Sequence, residues 1–225
     1  TEKNVAAKHP ADYAKLLRVG VRGIKEEIYE AIEKEHQLDK PDEEKLNLWR
    51  AMLISVDALV DFAHRYAAML LKAAKTEQDP QRVKELLEMA RICNRVPEYP
   101  AETYHEALQS FFFLFAAFHS CMEEVAVGRP DQYFYPYYKN DIDSGRITKA
   151  QAEELTASWF VKFSERVQLD KDHWEFKHFT AIDENYDGGC LDDVANVFSM
   201  ENDEDYNLGT SANHWEQNVI LGGVK

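Results

Sequence analysis

Four stretches of this sequence carry side chains whose types and spacing can do chemistry. Cys190 sits on the glycine-rich turn Asp187-Gly188-Gly189-Cys190-Leu191-Asp192-Asp193, where a thiol can serve as an exposed nucleophile or a thiyl site with Asp192 as a nearby acid or base. Its neighbouring carboxylates raise the thiol pKa rather than lower it, so Cys190 reads as a free cysteine in an acidic loop. Asp183-Glu184-Asn185-Tyr186-Asp187-Gly188 follows the first half of a calcium loop, but the final position, where a bidentate Glu is needed, is Val194. His173, His178 and His214 lack the HxxxH or Cys-His company of a zinc site. The aromatics Trp174, Phe176 and Phe179 around the first two place them where a loop packs on a core. No metal site is expected. Glu123-Glu124 follows directly on the apolar run Phe111 to Phe118, which sets two carboxylates at the inner end of a buried element, where acids are paired or functional. The neighbour able to pair with them is Arg129 in Gly128-Arg129-Pro130-Asp131-Gln132. An ion pair and a substrate-facing role are both open.

The elements that position these residues are mostly helices. Leu16, Val21, Ile24, Ile28 and Ile32 recur at helical spacing between Asp12 and Glu33, giving one or two amphipathic helices that Gly20 and Gly23 weaken in the middle. Pro41-Asp42-Glu43-Glu44 opens a longer helix with the stripe Leu46, Trp49, Leu53, Val56, Val60, Ala63, Tyr66 and Leu70. Asp79-Pro80 has the form of an N-cap followed by proline at the first helical position; Val83, Leu86, Leu87, Ala90 and Cys93 continue that helix towards Pro97. Thr103-Tyr104-His105-Glu106 reads as a capping box before Leu108 to Phe118, a segment apolar on nearly every face. Thr148-Lys149-Ala150-Gln151 is a second box, opening a helix with Leu155, Trp159, Phe160 and Phe163 on its inner face. From Leu169 to Asn213 the chain is acidic and rich in Asp, Asn and Gly with no defensible period, which reads as a loop insertion or lid. Asn218-Val219-Ile220-Leu221 reads as a short buried strand stopped by Gly222-Gly223. A buried strand at an extreme terminus needs neighbours, so the chain is expected to be truncated. No internal repeat and no linker divide it.

Composition bounds the partners. At 225 residues, 45% of them hydrophobic, the chain is long enough to bury roughly 70% of its unfolded surface and too apolar to be disordered. A formal charge of −15 repels phosphate, so neither nucleic acid nor an anionic membrane is expected as a partner. Three widely spaced cysteines, Cys93, Cys121 and Cys190, are no disulfide framework and fit a reducing, cytoplasmic setting. The longest apolar run falls far short of the roughly 20 residues that cross a bilayer.

Three further stretches carry a resemblance. Pro97-Glu98-Tyr99-Pro100-Ala101-Glu102-Thr103-Tyr104-His105-Glu106-Ala107-Leu108-Gln109, Gly128-Arg129-Pro130-Asp131-Gln132-Tyr133-Phe134-Tyr135-Pro136-Tyr137-Tyr138 and Gln217-Asn218-Val219-Ile220-Leu221-Gly222-Gly223 resemble the signature of the pyruvate formate-lyase-like glycyl radical enzymes, their dehydratase and lyase branch above all. Asp141-Ile142-Asp143-Ser144-Gly145-Arg146-Ile147-Thr148 and the stretch from Tyr13 to Ile24 are similar to the same family in the same order. The resemblance covers most of the chain outside Leu169 to Asn213.

It implies a mostly α chain with short β, forming part of a ten-stranded α/β barrel of the pyruvate formate-lyase type. Residues 1–225 are then an internal portion of one such domain, and 170–213 an acidic insertion or lid within it. The family works through a glycyl radical installed by an S-adenosylmethionine-dependent iron-sulfur activating enzyme; the glycyl radical oxidises a cysteine to a thiyl, which takes a hydrogen atom from a small-molecule substrate. The family's cysteine finger loop and glycine loop follow the Leu-Gly-Gly element, so Gly189-Cys190-Leu191-Asp192, which precedes it, is a decoy, and Arg18-Val19-Gly20 is no radical loop. The catalytic cysteine and glycine are therefore absent from this chain, which alone is expected to be inactive. Glycerol-dehydratase-like members place a His-Ser pair where this chain has Glu123-Glu124, a departure that disfavours a simple diol dehydratase and fits a cationic or polyhydroxylated substrate, or a proton acceptor. Glu123 and Glu124 are the first candidate substrate-binding residues, His214 and Trp215, with Glu216, the second; Arg129 and Asp131 are read as structural. The reaction implied is cleavage of a carbon-heteroatom or carbon-carbon bond, by a dehydratase or a carbon-sulfur or carbon-nitrogen lyase acting as a homo-oligomer. The alternatives are an arylacetate-type decarboxylase of the same family and a non-catalytic helical interaction subunit derived from it.

Overall fold

A computed structural model describes residues 11–120 and 126–164. The described residues are almost wholly helical: α1 (Tyr13–His36), α2 (Glu43–Ala74), α3 (Pro80–Arg95), α4 (Tyr104–Ser120), α5 (Pro130–Tyr133), α6 (Tyr135–Asp143) and α7 (Lys149–Ser164). Among them Ala126 alone has a bridge partner, and no longer strand occurs. The strand expected at 218–221 and the acidic stretch 170–213 lie outside the described residues. Compactness divides the chain into two units, with the boundary between Ala152 and Glu153.

The ambiguity over one helix or two in the first segment resolves at Gly20. α1 runs through it with φ 65° and ψ 178°, a left-handed kink that glycine adopts without the steric cost of a Cβ. The kink interrupts the helical ladder. The Val21 amide donates to Pro97 O (2.8 Å), the Arg22 amide to Glu98 O (3.0 Å), and Leu17 O accepts from the Ala101 amide (2.9 Å). Segment 97–101 thus takes up groups that the helix releases.

α2 and α3 open on the caps their sequences carry. Asp42 accepts from the Glu44 and Lys45 amides at 2.9 and 3.3 Å, and Asp79 accepts from the Gln81 amide at 2.9 Å ahead of Pro80 at the first turn. Glu35, buried at the end of α1, accepts from the Asp42 amide at 2.9 Å and ties the turn between α1 and α2. The stripe on α2 is corrected at one position. Ala67, not Tyr66, occupies the buried row after Ala63, and Leu59 joins it. The methyl group of Ala67 allows close helix contact; Tyr66 instead lies beside the row, edge-on to Phe62 (5.1 Å) and Phe113 (6.0 Å). On α3, Leu87 is exposed, and Ile92 is buried in addition to Leu86, Ala90 and Cys93.

One core cluster joins Leu16 and Val21 of α1, Leu59, Ala63 and Ala67 of α2, Cys93 of α3 and Phe113 of α4. Each large apolar side chain removed from water contributes about 1.5–3 kcal/mol, whereas an exposed pair such as Lys25–Asp57 at 2.6 Å contributes about 0–1 kcal/mol. Packing therefore dominates the stability of the bundle. α4 has no exposed position from Tyr104 to Phe118, as its all-round apolar sequence requires. α7 begins with a complete capping box: the Gln151 amide donates to Thr148 Oγ1 (3.2 Å) and the Thr148 amide to Gln151 Oε1 (2.9 Å). In the second unit, Trp159 packs edge-on against Phe160 and Phe163, with centroids 5.0 and 4.6 Å away; Phe160 is the more exposed of these rings.

A Cβ at residue 20 would lie 2.5 Å from the Tyr99 carbonyl carbon and 2.6 Å from Glu98 O. Gly20→Ala is therefore expected to destabilise the intact protein by more than about 3 kcal/mol, from left-handed strain together with overlap against backbone. Thermal unfolding checks this, and an unchanged Tm would refute it.

Candidate functional site

The segment from Val127 to Tyr138 is built as a rigid turn on an aromatic platform. Gly128 is left-handed at φ 72°, Arg129 is the residue before α5, and Pro130 starts that helix, where its missing amide hydrogen costs nothing. Arg129 donates through Nε to Asp131 Oδ1 (2.9 Å) and through Nη2 to Asp131 Oδ2 (2.8 Å). This planar two-bond fork is the geometry for which arginine is preorganised, and the Asp131 carboxylate raises the Arg129 pKa. The Tyr133 hydroxyl donates to Val127 O at 2.8 Å. Under the turn, Tyr13 and Phe111 meet at 4.3 Å, Phe111 stacks on Tyr133 at 6.0 Å with 18° between planes, and Tyr133 meets Phe134 at 4.7 Å. Burial pushes the Tyr13 and Tyr133 phenols up, so both stay protonated. Among the described residues the buried Tyr13 hydroxyl finds no hydrogen-bond partner.

Two buried carboxylates hold α4 in place beside this platform. Glu106, 1% exposed, accepts from Arg91 Nη1 (3.0 Å) and from the Glu102 amide (2.9 Å), with Arg95 Nε at 3.4 Å. The expected capping box is thus only half made. Thr103 Oγ1 accepts from the Glu106 amide (3.1 Å), but the Glu106 carboxylate reaches past Thr103 to Glu102, drawn by two guanidinium groups from α3. Asp141, also 1% exposed, accepts from the Tyr104 amide at 2.8 Å and pairs with Arg146. The chain reverses between them at Gly145, left-handed at φ 70°. Sequence analysis gives Glu106 only the capping-box role and Asp141 no pairing, although Arg91 and Arg95, four apart on one helix face, and the Asp141 to Arg146 stretch were signals for them.

Of the site residues predicted from sequence, the structure describes Arg129 and Asp131 and brings them together. Glu123, Glu124, His214 and Trp215 lie outside the described residues, as do Glu216, Cys190, His173 and His178. Among the described residues no group of three or more His, Cys, Asp or Glu can hold a metal ion. Burial pushes the Cys93 thiol up to about 11, so it is packing and not a nucleophile. No described helix is long and apolar enough to cross a membrane.

This helical architecture, with its Gly128–Tyr138 turn, has close counterparts among known proteins. The family described as pyruvate formate lyase-like matches residues 2–225, and the chain belongs to it. Isethionate sulfite-lyase from Nitratidesulfovibrio vulgaris is 40% identical over 164 residues, covering 70% of this chain and 20% of that protein. (2S)-3-sulfopropanediol dehydratase from Klebsiella oxytoca is 32% identical over 160 residues, covering 70% of this chain and 19% of that protein. Among solved structures, one concerned with 1,2-propanediol dehydration in Roseburia inulinivorans superposes with a TM-score of 0.69 at 36% identity, over 73% of this chain and 20% of that one. The glycerol-bound B12-independent glycerol dehydratase from Clostridium butyricum gives 0.67 at 34%, over 77% and 22%. The chain spans about a fifth of the length of these relatives.

His105, beside Glu106 and facing Glu88 and Arg91, is held below its usual value of 6.5 by desolvation. The unfolded chain then takes up a proton that the folded one resists, so the stability from neutral His105 is present above about pH 6.5 and declines as pH falls below it. Thermal unfolding of the intact protein between about pH 7.5 and 5.5 is expected to show a shallower decline for His105→Gln than for the unsubstituted protein. Parallel curves would refute the assignment.

Proposed function

We propose that this chain is an internal portion of a glycyl radical lyase that eliminates a group from a small polar molecule. Residues 1–225 lie within one domain of the ten-stranded barrel type, and 170–213 cover or border its site. The observation that carries this reading is the family match along the whole chain, with relatives described as sulfite-lyase and dehydratase. In the whole protein a glycyl radical, installed by a radical S-adenosylmethionine activating enzyme, supplies the thiyl that removes and returns a substrate hydrogen atom. The protein works in the cytoplasm as a homo-oligomer.

The contribution of this chain is to bind and orient. Glu123 and Glu124, four and three residues before Val127, face the substrate with His214 and Trp215. Their charge decides the substrate class. Two carboxylates near a sulfonate would oppose it, each by about 1 kcal/mol or more at contact distance, whereas they accept hydrogen bonds from hydroxyl groups or pair with an ammonium. A hydroxylated neutral or ammonium-bearing substrate therefore fits this pair better than isethionate, despite the 40% identity to an isethionate enzyme. One of the two carboxylates takes the proton released as the substrate radical rearranges.

The test is anaerobic activation of the full-length protein, electron paramagnetic resonance for the glycyl radical, and turnover of glycerol, 1,2-propanediol, trans-4-hydroxy-L-proline and isethionate. A radical signal with turnover of one of the first three is expected. No radical would sink the family chemistry, and a preference for isethionate would sink the substrate-facing carboxylates. Glu124→Gln should lower turnover roughly a hundredfold with little change in Tm; a fall in Tm with unchanged activity per folded molecule would make Glu124 structural.

A further inference from the structure

We infer that the first half of α2 is a docking face for a helix of the same polypeptide from outside residues 1–225, seated over Leu48, Ala51, Met52, Ser55 and Ala58. The inference rests on the reading of this chain as an internal portion of a longer protein. α2 bears two apolar rows. One, from Leu46 through Val56 and Val60 to Ala63 and Ala67, faces the core. The other recurs at positions 48, 51, 52, 55, 58, 59 and 62, the spacing of a second buried helix face. Its far end is already an interface, since Leu59 is buried and Phe62 meets Phe113 of α4 edge-on at 5.8 Å. Its near end has no cover among the described residues. There Leu48 is 60% and Met52 45% exposed, and Ile54, next to Ala51 and Ala58 on the helix surface, is 71% exposed.

The side chains of the row say what fits it. The charged residues of this stretch, Arg50, Asp57 and Asp61, fall on other faces of the helix, and Asp57 is engaged by Lys25 of α1 at 2.6 Å. Ser55 donates its hydroxyl to Ala51 O at 3.0 Å, so it turns no unpaired donor towards an apolar neighbour. Ala51, Ser55 and Ala58 are short and let a second backbone approach closely, with Leu48, Met52 and Ile54 standing around them. The complementary surface is a helix with bulky, uncharged side chains. Area then selects its source. From 48 to 58 the row is about 15 Å long and, with its side chains, about 10 Å wide, a small part of the roughly 800 Å² per partner that stable association of separate chains buries. A strip that small favours a tethered segment, whose effective concentration reaches about the millimolar range. The relatives hold such chain in quantity, because this one covers only 20% of the isethionate sulfite-lyase and 20% of the structure concerned with 1,2-propanediol dehydration.

The experiment makes two measurements on the full-length protein. The first follows maleimide labelling of the peptide around residue 55 in Ser55→Cys, a near-isosteric change, by mass spectrometry, with the same protein unfolded in guanidinium as reference. Native labelling is expected to be at least about a hundredfold slower than unfolded labelling. Labelling within about threefold of the unfolded rate shows a bare face and overturns the inference. The second replaces methionine by its photoreactive diazirine analogue and maps cross-links from the Met52 peptide in species separated by mass under denaturing conditions. A cross-link to a peptide outside residues 1–225, in a species of single-chain mass, is expected. A cross-link found only at twice that mass assigns the face to a second copy, and one to a different protein assigns it to a partner. Either overturns the inference, as does finding Met52 cross-links only within residues 1–225 or none. A native polypeptide of only 225 residues would fail the internal-portion reading and the inference with it. A longer polypeptide whose residue 55 labels at the unfolded rate fails the inference alone.

Discussion

The described bundle depends on the place where α1 bends at Gly20 and gives up its own ladder. A straight helix would pair Leu17 O with the Val21 amide. Here each of those groups bonds to the 97–101 segment instead, the amide to Pro97 O and the carbonyl to the Ala101 amide. The exchange conserves hydrogen bonds while converting a local contact into one between segments some eighty residues apart in sequence. Tyr99 sits at the centre of the joint, with Arg22 5.3 Å from its ring centroid and Arg95 at 5.8 Å. Cation–π contacts of this kind add about 0.5–1 kcal/mol each at exposed sites, so the backbone exchange, made of several bonds that would otherwise be buried and unpaired, is the stronger constraint.

From that joint the order of the rest follows. Segment 97–101 is the chain between α3 and α4, so fixing it fixes where α4 starts. Glu106 and Asp141 then lock the start from two sides, one through the guanidinium groups of α3 and the other through the first amide of the helix. A buried carboxylate without partners would cost several kcal/mol; these two are buried because their partners arrive from different elements. They specify which elements meet, and apolar packing supplies most of the stability.

Local chemistry was legible in the sequence wherever the signal and its partner lie within a few residues. The Asp79-Pro80 start, the Thr148-Gln151 box and the weak middle of the first helix are of this kind, since a cap or a glycine acts on amides three residues away. Non-local choices were not legible. Nothing near Thr103 tells that Glu106 will pass over the expected box for Arg91 and Arg95, and the choice of Ala67 over Tyr66 on α2 depends on how closely the neighbouring helices approach. The partner of Arg129 shows the same limit: sequence analysis offered Arg129 to Glu123 and Glu124, whereas its two-bond fork goes to Asp131 across the turn at Gly128 and Pro130.

α4 is the element that connects the bundle to the site. Its Phe113 side meets Phe62 at 5.8 Å on α2, and its Phe111 side meets Tyr13, Tyr133 and Phe134. A helix that packs on opposite sides cannot be amphipathic, which is why its sequence is apolar nearly all round and why even the Ser110 hydroxyl is buried there with no hydrogen-bond partner among the described residues. A cost of that size is tolerable only in a segment whose position many contacts over-determine. Such a helix is a rigid base, and function concentrates on segments held by rigid elements. The Val127–Tyr133 turn is seated on this base by ring contacts and one hydroxyl, so its placement is inherited from the bundle core, through Phe111, back to the kink at Gly20.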